Sequence, residues 1–266
     1  MPIPCLYNAA AGVSEAQLAA EYAAKVGEAI ASLQAEGIQP AAILIDTLFA
    51  NEGLPRVPRG FVDQAVALVR KAGGLFIADE VQSGFARTGE FFWGHQAHGA
   101  VPDIVTLGKP MGNGYPLAGV VTSRELVESF GRSAMYFNTF GGTPVAAAVG
   151  MAVLDEIEER GLQANSLQVG GYLSERLWQL AERHSIIGDV RGKGLFFAVE
   201  LVRDRTSRDS AGAEARRLVN DMRQRGVLIS KVGAGDNILK IRPPLVFSRE
   251  HADLFIDTLD NALGAL

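Results

Sequence analysis

Two charged positions invite a chemical reading first. Asp79 and Glu80 close the apolar run Leu75-Phe76-Ile77-Ala78, where a carboxylate has no packing role and must be solvated, paired or reactive. Lys109 follows a second apolar run, Ile104-Val105-Thr106-Leu107, inside the glycine-rich stretch Gly108-Lys109-Pro110-Met111-Gly112-Asn113-Gly114. If both runs are strands of one sheet, the acid and the amine fall on the same edge, and together they could do acid–base or nucleophilic chemistry. An ordinary strand-end ion pair and a solvated loop lysine is the plainer reading, and residue types alone leave both open.

Other constellations are weaker. Lys109 is not followed by Ser or Thr and its glycines have the wrong spacing, so a nucleotide P-loop is rejected. Gly188, Gly192 and Gly194 lack the strand–glycine–helix order of a dinucleotide site and read as turn residues. His95, His98 and Asp103 imitate a metal cluster without completing a ligand set, so no metal is expected. Ser83 and the Thr122-Ser123 hydroxyls have no neighbouring histidine to support a serine nucleophile.

The elements that must position Asp79 and Lys109 alternate between helix and apolar strand. Ser14 with Gln17 makes a capping-box pattern, and Leu18, Tyr22, Val26, Ile30 and Leu33 continue at helical spacing up to Gly37. The run 41–46, without polar alternation, predicts a strand covered on both faces. Phe61, Ala65, Leu68, Val69 and Ala72 mark a second helix, and strands are expected at 75–79, 104–107 and 117–121. This pattern is α/β, and in an open sheet of this kind ligands bind at the carboxyl ends of the strands. After Thr143-Pro144 a helix runs to about Arg160, and the character then changes to α+β. Helices are expected at 163–184, 211–225 and 249–263, with strands at 195–202, 227–230 and 238–241. Residues 1–160 thus form a larger domain and 161–266 a smaller one.

The chain has 266 residues and a net charge of −5, which is not a nucleic-acid-binding balance. One cysteine, Cys5, excludes an internal disulfide and any multi-cysteine metal site. The first residues lack a basic segment and apolar run, and no stretch is apolar enough to span a bilayer, so neither a membrane partner nor a secretory leader is expected and the location expected is cytoplasmic.

Several long motifs, in order and over nearly the whole chain, resemble the class III pyridoxal-phosphate aminotransferases. They are residues 76–89 (FIADEVQSGFARTG), 103–109 (DIVTLGK), 137–144 (FNTFGGTP), 188–194 (GDVRGKG) and 240–245 (KIRPPL). The resemblance implies a fold-type I transferase, with a partial large cofactor-binding domain over 1–160, built on a mainly parallel sheet, and a small C-terminal domain over 161–266. It implies pyridoxal 5′-phosphate as cofactor, a small amine or amino acid and a 2-oxo acid as substrates, and a homodimer. Lys109 would bind the cofactor aldehyde covalently and later move the substrate proton. Asp79 would pair with the pyridine nitrogen and keep it protonated. Val81 would pack on the ring, Gln82 would reach the ring hydroxyl, and Thr139 would reach the cofactor phosphate of a neighbouring subunit.

Members of the family begin before this chain does, and that earlier part carries a phosphate-gripping loop. By resemblance, then, the chain is truncated at its N-terminus, and weaker cofactor binding or a non-catalytic homologue is a further expectation. Asp46 and Lys240 stand where many members carry a glutamate and an arginine that govern substrate choice, with Arg242 close by. Lysine offers a point charge where arginine offers a planar fork. The Lys-Ile-basic-Pro-Pro setting resembles the branch that contains phospho-lyases acting on phosphorylated amino alcohols and alanine–glyoxylate aminotransferase-like enzymes.

Overall fold

The computed structural model describes residues 2–266, which divide into two compact units. The first comprises residues through Leu48, Val57–Phe85 and Trp93–Arg160; the second comprises Phe49–Arg56, Ala86–Phe92 and Gly161–Leu266. Two short segments of the N-terminal half therefore belong to the second unit.

In the first unit α1 (Glu15–Ala35) begins where expected. The Ser14 side chain accepts from the Gln17 backbone N–H, and the Gln17 side chain accepts from Ser14 N–H at 2.9 Å. Leu18, Ala19, Ala23 and Val26 form its buried face, packed with α2 (Phe61–Lys71). A four-stranded sheet follows the order β1 (Ala42–Ile45), β2 (Leu75–Asp79), β3 (Ile104–Leu107), β4 (Gly119–Thr122). The first three strands are parallel, while β4 returns antiparallel to β3, as a short connection permits. The register sets Asp79 opposite Thr106. Two helices complete the unit, α3 (Arg124–Ser133) and α4 (Pro144–Glu159), the latter capped by Thr143.

Two expectations fail here. The first strand is not covered on both faces: Leu44 is 59% exposed, and on β4 Val120 is 65% exposed. The helix α3 was not foreseen because it has no buried face to impose an apolar period, and it is marked only by Ser123, which accepts from Leu126 N–H. The Ser123 hydroxyl is thus a cap, and Thr122 donates to the Asp103 carbonyl at 2.8 Å.

The second unit packs α5 (Leu162–Arg183), α6 (Gly212–Gln224) and α7 (Arg249–Leu263) with an antiparallel sheet. Its strand order is β5 (Ile187–Lys193), β6 (Phe196–Leu201), β8 (Ile238–Ile241), β7 (Ser230–Val232). Leu173, Leu177, Leu180, Phe197, Val199, Leu218, Leu239, Ile256 and Leu259 fill the core between them. Gly188 and Gly192, expected in turns, lie inside β5, where the register shifts between Ile187 and Asp189. That bulge breaks the period of two by which a strand is recognised. Only Gly194 turns the chain, into β6. The strand expected at 227–230 lies instead at 230–232, and Leu228 is 82% exposed.

Candidate active site

The carboxyl edge of the first unit's sheet collects the expected groups. Asp79 ends β2, and its Oδ1 accepts from Val81 N–H at 2.9 Å and from the Thr106 hydroxyl at 3.4 Å. Its Oδ2 accepts no hydrogen bond among the described residues. On the neighbouring strand β3 ends at Leu107, and Lys109 opens a 3-10 turn, Lys109–Gly112. A side-chain carbon added to Gly108 would meet the two Val81 methyls at 3.6 and 3.7 Å, so Val81 packs directly against the backbone that leads into Lys109. Lys109 itself has φ +38°, a left-handed conformation costly to a residue with a side chain and common where a functional group must be aimed. Its Nζ makes no hydrogen bond or ion pair among the described residues.

Burial separates the groups of this edge. Asp79 is only half-buried and Lys109 is exposed, whereas Glu80 is fully buried. The Glu80 carboxylate accepts from Ser83 Oγ, Gly94 N–H and His95 N–H, each at 2.7 Å, and its Oε1 lies 2.6 Å from His95 Nδ1. Burial alone would raise its pKa, but the bonds from His95, Ser83 and Gly94 hold it below the ordinary value. Glu80 thus ties down both ends of the turn that presents Val81 and Gln82, and the turn closes tightly because Gly84 lets the Trp93 ring approach where a side-chain carbon would stand at 2.8 Å. The signal was in the alternation: Phe76, Ala78 and Glu80 occupy one buried face. His98 meets the Thr47 carbonyl at 3.2 Å, and its burial lowers its pKa. Neither histidine forms part of a cluster that could hold a metal among the described residues.

The remaining residues expected from the resemblance scatter more widely. Thr139 lies in an exposed turn before α4. Asp46 follows β1, and its Oδ1 accepts from Leu48 N–H at 3.1 Å, forming a local turn. In the second unit Lys240 is 5% exposed, donates to Asn51 Oδ1 at 3.1 Å and sits 5.6 Å from the centre of the Phe196 ring. Asn51 was not singled out in the sequence, since a polar residue 189 positions from its partner carries no local signal. Arg242 lies just beyond β8 and is exposed.

The donor set fits pyridoxal phosphate at its ring end. An uncommitted carboxylate oxygen suits a protonated ring nitrogen, an uncommitted amine suits an aldehyde, and Val81 offers an apolar surface beside both.

Comparison with known proteins agrees. The Aminotransferase class-III family matches residues 3–263. An Arabidopsis thaliana protein named alanine–glyoxylate aminotransferase 2 homolog 2, mitochondrial, is 47% identical over 226 residues, 85% of this chain and 47% of its own length. The human alanine–glyoxylate aminotransferase 2, mitochondrial, is 39% identical over 239 residues, 90% of this chain and 45% of its own length. Among solved structures, a phospholyase from Arthrobacter in complex with phosphoethanolamine is 48% identical, with a TM-score of 0.95 over 99% of this chain and 62% of that one. The chain therefore spans about half the length of the curated relatives it matches. The cytoplasmic location expected from the first residues is overturned by the mitochondrial relatives. Family match, identity and fold agree with an acid and an amine placed at the carboxyl ends of adjacent strands: the chain belongs to the class-III aminotransferases.

Proposed function

We propose that the chain carries the catalytic half-site of a pyridoxal-phosphate-dependent aminotransferase that moves an amino group between an amine or amino acid and a 2-oxo acid. The observation that carries this reading is the edge itself, with Asp79 at the end of β2, Lys109 two residues beyond the end of the adjacent β3, and Val81 packed against Gly108. Bound pyridoxal phosphate supplies an electron sink for the carbanion left when a substrate carbon loses its proton. Lys109 Nζ would hold the cofactor aldehyde and, once the substrate amine had displaced it as a free amine, would take the proton from the substrate carbon and return one. Asp79 Oδ2 holds the proton on the ring nitrogen, and the hydrogen bonds from Val81 and Thr106 to Oδ1 fix the carboxylate plane. Val81 and Gln82 orient the ring, while Asp46, Lys240 and Arg242 belong to substrate recognition. Incubation with cofactor, borohydride reduction and peptide mass spectrometry should find the adduct on Lys109 and lose it in Lys109→Ala. Unmodified wild-type Lys109 would end this reading.

Thr139 would act at the cofactor phosphate of a second copy, which makes the functional form a homodimer. Exposed Phe137 and Phe140 beside it, 79% and 82% accessible, support an interface there. Sedimentation of the purified chain tests it.

A second reading on the same scaffold is a phospho-lyase, favoured by the match to the Arthrobacter protein and by the Lys240–Asn51 pair. Release of phosphate and ammonia from phosphoethanolamine without an oxo acid would select it.

A further inference from the structure

Two acids adjacent in the chain are held in opposite ways. Glu80 is closed off from solvent and both oxygens of its carboxylate are fully engaged. Oε1 accepts from the His95 backbone N–H at 2.7 Å and lies 2.6 Å from His95 Nδ1, while Oε2 accepts from Ser83 Oγ and Gly94 N–H, each at 2.7 Å. Such a carboxylate cannot turn without breaking several bonds at once. Asp79 leaves Oδ2 uncommitted, and its Oδ1 is aimed by the Val81 N–H at 2.9 Å and the Thr106 hydroxyl at 3.4 Å. The N–H that orients Asp79 therefore belongs to the peptide that leaves the Glu80 Cα.

The support under Glu80 is itself braced. His95 lies in the 3-10 turn Gly94–Ala97, where Trp93 N–H donates to the Gln96 side chain and His98 N–H to the His95 carbonyl, each at 2.9 Å. A side-chain carbon on Gly94 would stand 2.4 Å from Ser83 Cβ, so the turn is seated directly on Ser83. Ser83 Oγ also faces the Asp79 carbonyl at 3.3 Å, and the Glu80 N–H donates to the Thr106 carbonyl at 3.0 Å. Thr106 thus touches both acids, Asp79 through its hydroxyl and Glu80 through its carbonyl. An ionised carboxylate only accepts, so His95 Nδ1 carries the hydrogen shared with Oε1. Burial raises the Glu80 pKa, and the His95 side chain leads the bonds that hold it below the ordinary value. Without that imidazole the carboxylate loses its shortest bond.

We propose that His95 is a positioning residue: through the Glu80 carboxylate and Ser83 it fixes the peptide that orients Asp79, and so sets the direction in which Asp79 Oδ2 presents its charge. The proposal rests on the reading of Asp79 as the partner of a protonated ring nitrogen, and adds to it a residue 15 positions from Glu80 in the chain.

Hydrogen exchange of the cofactor-free chain, resolved amide by amide by NMR, tests the proposal. His95→Ala should speed exchange of the Val81 N–H about tenfold, as expected for losing one charge-assisted hydrogen bond beneath it, and leave the amides inside β2 and β3 unchanged. His95→Asn, whose side-chain nitrogen stands where Nδ1 does, should restore the wild-type rate. Ser83→Ala removes only a hydroxyl; it should act in the same direction and decides the matter if His95→Ala does not fold. Unchanged Val81 exchange, no rescue by asparagine, or acceleration spread evenly over β2 and β3 would each overturn the proposal, the last because it marks a residue that only holds the fold.

Affinity for pyridoxal phosphate, read from the absorbance of the bound cofactor, supplies a double-mutant cycle. His95→Ala should weaken it about tenfold when Asp79 is present and leave it unchanged in an Asp79→Asn background, because the effect runs through the Asp79 charge. Equal weakening in both backgrounds would also overturn the proposal. A wild-type chain that takes up no cofactor would sink the function proposed above, and the exchange rates would still decide the role of His95.

Discussion

The Glu80 carboxylate, closed off from solvent, lies 2.6 Å from His95 Nδ1 and accepts the Ser83 hydroxyl and the Gly94 and His95 backbone N–H groups. Asp79, the acid proposed above to meet the cofactor, is its chain neighbour, and the Asp79 carbonyl accepts from the same Ser83 hydroxyl at 3.3 Å. Glu80→Ala leaves three buried donors unsatisfied and should cost about 3 kcal/mol in urea unfolding. The pH dependence follows from the lowered pKa of Glu80. The unfolded carboxyl titrates near 4.5 and the folded one below it, so this stabilisation is complete above 4.5 and is lost as pH falls through the folded value. Glu80→Gln should flatten the fall in stability below pH 4.5.

The backbone at Lys109, φ +38°, separates chemistry from strain. Lys109→Gly should abolish cofactor attachment while raising thermal stability by about 1 kcal/mol, because glycine accepts the left-handed region without penalty. Lys109→Ala should abolish attachment without that gain. Equal melting temperatures for the two variants would show that the turn stores no strain.

Two adjacent glycines in α5 should answer oppositely to alanine. At Gly171 nothing lies within 4 Å of an added side-chain carbon, so Gly171→Ala should stabilise by about 1 kcal/mol through helix propensity. At Gly170 the same carbon would stand 2.1 Å from the Gly194 carbonyl oxygen, at the turn between β5 and β6. Gly170→Ala should therefore destabilise by about 3 kcal/mol, read as a drop in urea midpoint.

Arg191 is 6% exposed and joins Asp189, Glu200 and the Gly53 carbonyl. Arg191→Ala leaves the buried Asp189 with Arg56 as its one remaining charged partner among the described residues, and should cost about 4 kcal/mol. Adding Asp189→Asn should recover part of that loss, and a double-mutant cycle gives the coupling.

What the sequence disclosed depended on how local each cause is. The start of α1 was legible because Ser14 and Gln17 lie three residues apart and satisfy each other's backbone. Asp79 and Lys109 were legible because strand ends and glycine punctuation place them. The strand β5 was hidden by the bulge at Gly188, and α3 by its lack of a buried face. Which of the two adjacent acids is buried could be read only from the alternation with Phe76 and Ala78. The partners of Lys240 and Arg87, at Asn51 and Pro243, lie 189 and 156 positions away, and nothing short of the folded chain announces them.

The backbone changes unit five times, at residues 48/49, 56/57, 85/86, 92/93 and 160/161. Gly53, Arg56 and Arg87 therefore bond to residues of the C-terminal hundred, among them Val190, Arg191 and Leu195. During synthesis those early segments must wait for a stretch made roughly 100 residues later, or on the order of ten seconds at a translation rate of about 5–20 residues per second. Nascent chains released before that point would emerge with the two segments undocked, a natural handle for chaperones.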